Sequence, residues 1–226
     1  MITIFKDDLF KSVKSVRTII VLILFIGTVF LTNKYGSNLP VISGNGSISI
    51  LSIIFSVFSI FGILFSFIIF GGTIVKEVED QSIRYLLPYI SRTKILIAKF
   101  LSMFVFWLLV IAVSILMTLL MQSSTVFPYQ YVLNLTVYFL YVSSLVTLTS
   151  VILSKEKLVS FTGIVLGIVA PVIGSWGLVS HNLFLKVISW VLPFRYTDAT
   201  WQIFILMGIS IIVFLAATIL FKNKEV

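Results

Sequence analysis

The stretch KEVEDQSIRYLLPYISRTKILIAK, residues 76–99, is the one long charged and proline-punctuated segment in a chain that is otherwise close to continuous hydrocarbon. Apolar runs long enough to cross a bilayer lie on both sides of it, so its reading fixes how the remainder is threaded. Of 226 residues, 59% are hydrophobic and only 11% charged, and the mean hydropathy is +1.18. That balance lies far outside the usual range of a soluble domain. A helix needs roughly 20 apolar residues to cross a hydrocarbon core of about 30 Å, and several runs meet that length. Barrel strands would alternate apolar and polar over about 10 residues, a pattern absent here. The expected fold class is an all-α polytopic membrane protein forming a single transmembrane domain, 1–226.

Six spans are expected, at about 18–32, 48–75, 99–121, 131–153, 159–179 and 201–221. Residues 1–16 place Ile2, Phe5, Leu9, Val13 and Val16 at spacings of three and four, with Asp7, Asp8, Lys11 and Lys14 on the other faces. That pattern fits an interfacial elbow helix; a plain extension of the first span is the other reading. The acids among its bases, and the lack of a small-residue cleavage site, argue against a cleavable signal peptide. The run 48–75 would be about 42 Å long as a helix, so it tilts or overhangs into water. The fifth span is expected to be broken at Ala170–Pro171, where proline removes a backbone donor. In 180–200 the run from Asn182 to Phe194 puts Leu183, Val187, Trp190 or Val191 and Phe194 at helical spacing, but is too short to cross. An interfacial or re-entrant outer helix is expected there, with Trp190 at headgroup level.

With the N-terminus placed in the cytoplasm, 13 of the 16 basic residues fall on inner segments. Lys34, Lys186 and Arg195 remain outside, and so strong a bias fixes orientation. Both termini and the 76–98 loop are therefore expected on the cytoplasmic side of a cell membrane. The net charge of +8 then reflects topology and anionic lipid headgroups rather than nucleic acid.

Chemistry within the chain is sparse. Cysteine is absent and His181 is the single histidine, which leaves no thiolate or multi-histidine metal site and no histidine base within a span. No metal or catalytic residues are expected, and the chain is not expected to be an enzyme. The Gly71–Gly72–Thr73 stretch before Lys76 has the wrong spacing for a phosphate-binding loop. No acid or base lies in mid-span, where ion-coupled carriers commonly keep one. In the second span Ser49, Ser52, Ser56, Ser59 and Ser66 share one face, with Phe55, Phe58 and Phe65 beside it. Such a face suits either a packing seam or the wall of a translocation path. Gly163 and Gly167 form a G-x-x-x-G, which argues for close packing only.

Within 76–99 the pattern reads as a helix from Glu77 to Leu87, with Asp80 and Arg84 as an i,i+4 pair and Ile83, Leu86 and Leu87 as an apolar edge. Pro88 stops it, and Ser91 can cap the helix that follows. Arg92 and Lys94 are unfavourable for that helix's dipole, so a further partner such as lipid phosphate or an acidic protein surface is expected.

Glu77, Glu79, Ser82, Leu86, Leu87, Pro88, Ser91, Arg92 and Lys99, after a long second span, resemble the first cytoplasmic loop of ABC-2 type permeases. The six-span layout and interfacial first helix are similar to that family too. Gln81–Ser82 stands where the family often has Gly-Thr. The resemblance implies that Glu77–Leu87 is a coupling helix seated on a separate ATP-binding subunit. It further implies two such subunits, with ATP and Mg bound there, and a second permease chain, identical or not. The second and fifth spans would line the path. The cargo implied is a hydrophobic or amphipathic peptide or toxin, as in bacteriocin-immunity systems and phenol-soluble-modulin exporters. A membrane immunity or sensor protein that does not transport is the competing reading.

Overall fold

The computed structural model describes residues 2–35, 50–82, 88–122, 127–153, 155–179, 182–196 and 201–223. Eight α-helices run in order through these residues, with no strand among them. They are α1 (Ile2–Lys14), α2 (Val16–Tyr35), α3 (Ile50–Glu79), α4 (Arg92–Gln122), α5 (Tyr129–Ile152), α6 (Glu156–Val179), α7 (Leu183–Val191) and α8 (Gln202–Asn223). A short 3-10 turn, Pro193–Tyr196, separates the last two. Helices α2 to α6 and α8 are each long and apolar enough to cross a membrane. The protein is thus an all-α polytopic membrane protein.

Spatial neighbours are mostly not sequence neighbours. Helix α3 packs along α6 and α5, α5 in turn along α8, and α2 and α4 close the side of this row. Helix α5 is the most enclosed; its buried residues include Tyr138, Phe139, Tyr141, Ser143, Ser144 and Thr147. The apolar residues exposed on α2, α6 and α8, among them Ile23, Phe161, Ile168 and Ile212, are what a hydrocarbon solvent requires.

With lipid outside, helices are held together by shape and by hydrogen bonds rather than by exclusion of water. Shape is set by glycine. A Cβ at Gly163 would overlap Phe67, one at Gly167 would overlap Leu64, and one at Gly62 would stand 2.9 Å from Tyr138 Cε1. The G-x-x-x-G of α6 therefore meets α3 within the same chain. Further along α6, Gly174 accommodates Phe194 and Gly177 accommodates Ser189 of α7. An aromatic layer fills the middle: Trp107 stacks on Phe139 at 4.1 Å, and Phe25 lies 4.4 Å from Phe58 and 5.7 Å from Trp107. Between helices, Tyr138 Oη donates to the Ser59 carbonyl at 2.5 Å, Ser150 Oγ to that of Gly71 at 3.3 Å, and Asn33 Nδ2 to Thr118 Oγ1 at 3.2 Å.

Two expectations need correcting. Helix α3 does not stop near residue 75 but continues to Glu79, because its charged last turn is anchored by neighbouring helices. Helix α6 is not broken at Ala170–Pro171; it runs through Pro171 to Val179. Proline costs the hydrogen bond to the Gly167 carbonyl, and buried packing of Ala170 and Pro171 holds the helix regardless. On α7, Leu183, Val187, Trp190 and Val191 are exposed, while buried Ser189 is turned to Gly177 of α6. A small side chain suits that crossing, and the apolar residues are left on the outer face. The Asn182 side chain caps α7 by accepting from Phe184 N at 3.1 Å. Below it, Tyr196 Oη donates to the Trp190 carbonyl at 2.5 Å. Burial raises the pKa of Tyr196, with Arg195 pulling weakly the other way.

Candidate functional site at the charged end of α3

Helix α3 contains 30 residues and α4 contains 31, about 45 Å each against a core of about 30 Å. Each is therefore long enough to tilt or to project beyond the hydrocarbon, and charged residues gather at the end where α3 stops and α4 begins. Lys99 lies in the third turn of α4 and is 1% exposed, the one fully buried charged residue among those described. Its ammonium donates to Glu77 Oε1 at 2.7 Å, the Thr73 carbonyl at 3.0 Å and Asp8 Oδ2 at 3.2 Å. An ammonium has three hydrogens, and all three are used. Two carboxylates offset the cost of burying this charge, and they come from different helices. Asp8 stands on α1 and Glu77 on α3, so one side chain of α4 joins three elements.

The last turn of α3 reaches a fourth helix as well. Glu79 Oε2 accepts from the Glu156 backbone N–H at 3.0 Å, satisfying one of the free donors at the start of α6 and placing a carboxylate at its positive end. The Glu156 side chain folds back over Gly72, where a Cβ would lie 2.8 Å from its Oε1. Beyond Glu79 the chain turns at once. Gln81 adopts φ 55°, the left-handed conformation that glycine enters without strain. Asp80 N donates to the Lys76 carbonyl at 2.8 Å and Gln81 N to that of Val78 at 3.2 Å, closing the helix.

Between α1 and this turn lies a polar cleft of about 390 Å³. Asp8, Lys11 and Ser12 line one wall, and Gly72, Thr73, Lys76, Glu77, Asp80 and Ser82 the other. Glu77 Oε2 is shielded from solvent and has no hydrogen-bond partner within the protein. Ser82 Oγ donates to the Glu77 carbonyl at 3.3 Å.

The expected loop helix Glu77–Leu87 is therefore divided. Glu77 and Glu79 belong to α3 and point at other helices, the turn at 80–82 ends that helix, and Ile83, Arg84, Leu86 and Leu87 lie outside the described residues. The expected Asp80–Arg84 pair lies outside the described residues with Arg84. Asp80 is exposed at the cleft rim, and Pro88 begins a turn in which Tyr89 is 87% exposed. Ser91 directly precedes α4 and its carbonyl accepts from Ile95 N at 3.2 Å; Arg92 opens the helix. The sequence reading placed Lys99 in the motif but missed both its burial and its partner Asp8, which it had assigned to the polar outside of α1. Spacing within α1 did hold a signal: Ile4, Asp8 and Ser12 recur every four residues on the inward side.

The serine and phenylalanine faces of α3 separate along the helix. Ser59 and Ser66 are buried, Ser52 is half-buried and Ser56 exposed, with Ser56 Oγ donating to the Ser52 carbonyl at 2.8 Å. Ser49 and His181 lie outside the described residues. Phe58 is fully buried between Phe25 and Phe139. Phe65 rests edge-on to Phe25 at 5.4 Å, and Phe55 stands 6.4 Å from Tyr131. Packing within the chain thus occupies Ser59, Ser66 and Phe58.

Neither a protein-family model nor any curated protein matches this chain.

Proposed function

We propose that the protein is the membrane-spanning subunit of an ATP-driven exporter, similar to ABC-2 permeases, whose energy enters through the segment following α3. The observation that carries this reading is the anchoring of the last α3 turn. Glu77 and Glu79 tie it to α1, α4 and α6, so a force applied to residues 80–91 acts on four helices together. In this reading α1 is the interfacial elbow helix, the 80–91 segment is the coupling element and α7 is the short outer helix. The 13-to-3 division of basic residues supports a cytoplasmic position for the termini and the coupling element.

The work comes from a separate subunit that binds ATP and Mg, two copies of it acting on two permease chains. Lys99, the buried charge, sits near a helix end with all its hydrogens engaged, which suits a structural tie better than a transported-ion site. The cargo is a hydrophobic or amphipathic peptide, matching a bundle whose buried middle is aromatic, aliphatic and hydroxylic. Glu77 and Glu79 act as the internal anchors, leaving Asp80, Ser82, Pro88, Tyr89 and the residues between as the surface for the ATP-binding partner.

Affinity purification of the full chain from membranes that also hold its ATP-binding partner tests this. Arg84→Glu, and separately deletion of Ile83–Leu87, should abolish co-purification of a nucleotide-binding subunit while the chain stays folded. Unchanged co-purification in both would overturn the proposal.

A further inference from the structure

The geometry points to α1 as a hinged arm, held closed against the bundle by the Lys99 ammonium. Three independent features carry this inference, which does not depend on the exporter reading. First, the helix is interrupted at Ser15 between α1 and α2, so α1 has a pivot of its own. Second, the face that α1 turns inward is only partly apolar: Ile4 and Val13 touch the core, but Asp8 and Ser12 lie between them. Third, α1 and the end of α3 are parted by the cleft of about 390 Å³ and bridged beside it by the Asp8–Lys99–Glu77 contact. The packed contact of α1 is with α4, not α3; between α1 and the end of α3 a charge spans the gap.

The charge arithmetic gives the arm its character. With Lys99 present, two carboxylates share one cation. Remove the cation, and Asp8 and Glu77 face each other as like charges in a partly desolvated place, which drives α1 outward. Glu77 Oε2 has no partner in the closed form. It can accept the ammonium hydrogen that Asp8 gives up, so the arm can open while Lys99 stays paired to α3. Opening would widen the cleft onto Thr73, Lys76 and Glu77, the turn that anchors α3.

The chain lacks cysteine, so spin labels can be introduced at Lys6→Cys on α1 and Leu158→Cys on α6, both exposed, with no background to remove. Pulsed dipolar distances in lipid nanodiscs should show one narrow distribution for the otherwise native chain. Lys99→Met should abolish the narrow distribution in favour of a broad one. The neutral combination Asp8→Asn, Glu77→Gln, Lys99→Met should narrow it only part of the way, because the repulsion is gone but the ionic tie is not replaced. Asp8→Ala, a single change on α1 that leaves the α3–α4 pair in place, should broaden the distribution to a smaller extent. A narrow distribution in both Lys99→Met and Asp8→Ala, or one in the neutral combination as broad as in Lys99→Met, would overturn the arm.

Discussion

The charged end of the bundle and its aromatic middle solve the same problem, holding α3 against its neighbours, by opposite means. At the end, Glu77 and Glu79 each reach a single polar target across a gap, and a cleft remains beside them. In the middle, Gly62, Gly163 and Gly167 bring backbones together until rings and aliphatic chains fill the space. The difference follows from solvent. Near the membrane surface a charge can be hydrated when its contact opens, so electrostatic ties there can be made and broken. Deep in hydrocarbon an opened polar contact has no substitute, and shape has to do the holding.

Glu77→Ala is the most severe way to break the comparison. It strips the buried Lys99 of its closest carboxylate and should cost about 3 kcal/mol, read as a lowered unfolding midpoint in detergent titration. Gly163→Leu attacks the middle instead by forcing a branched side chain into Phe67, and a loss of about 2 kcal/mol is expected. That loss should not depend on salt, because no charge is involved. Tyr138→Phe removes the bond to the Ser59 carbonyl and leaves the ring in place; about 0.6 kcal/mol should be lost, the scale of a hydrogen bond between membrane helices. Gln81→Gly has the opposite sign and sharpens the contrast. It relieves a left-handed residue at the helix end and should stabilise the protein by about 0.5 kcal/mol, measurable as a small rise in thermal midpoint.

Hydropathy made the six spans legible because each is a long run without charge, and the G-x-x-x-G announced a close approach. Its partner could not be read, since the helix it meets lies about 100 residues earlier and all the spans look alike in composition. Helix ends were misplaced for a related reason. Lys76, Glu77 and Glu79 look like loop residues beside an oily run, yet they stay helical because Lys99 and the start of α6 hold them. The central tie was invisible for want of range: Asp8 and Lys99 are 91 residues apart, and the sequence offers no sign of which acid a lysine will choose. Pro171 misled in the other direction, since a local rule for breaking helices was outweighed by packing on both sides.

The pairing of α3 with α6 also sets an order of assembly. Glu79 must wait for Glu156, 77 residues further on, and at ordinary rates of synthesis that interval is on the order of 10 s. During it α3 stands in the membrane without its glycine-lined partner, while α5 is made first and can cover Ser59 through Tyr138. The early α3–α5 pair would then serve as a template on which α6 docks, so a defect in Tyr138 should delay maturation more than it weakens the finished protein.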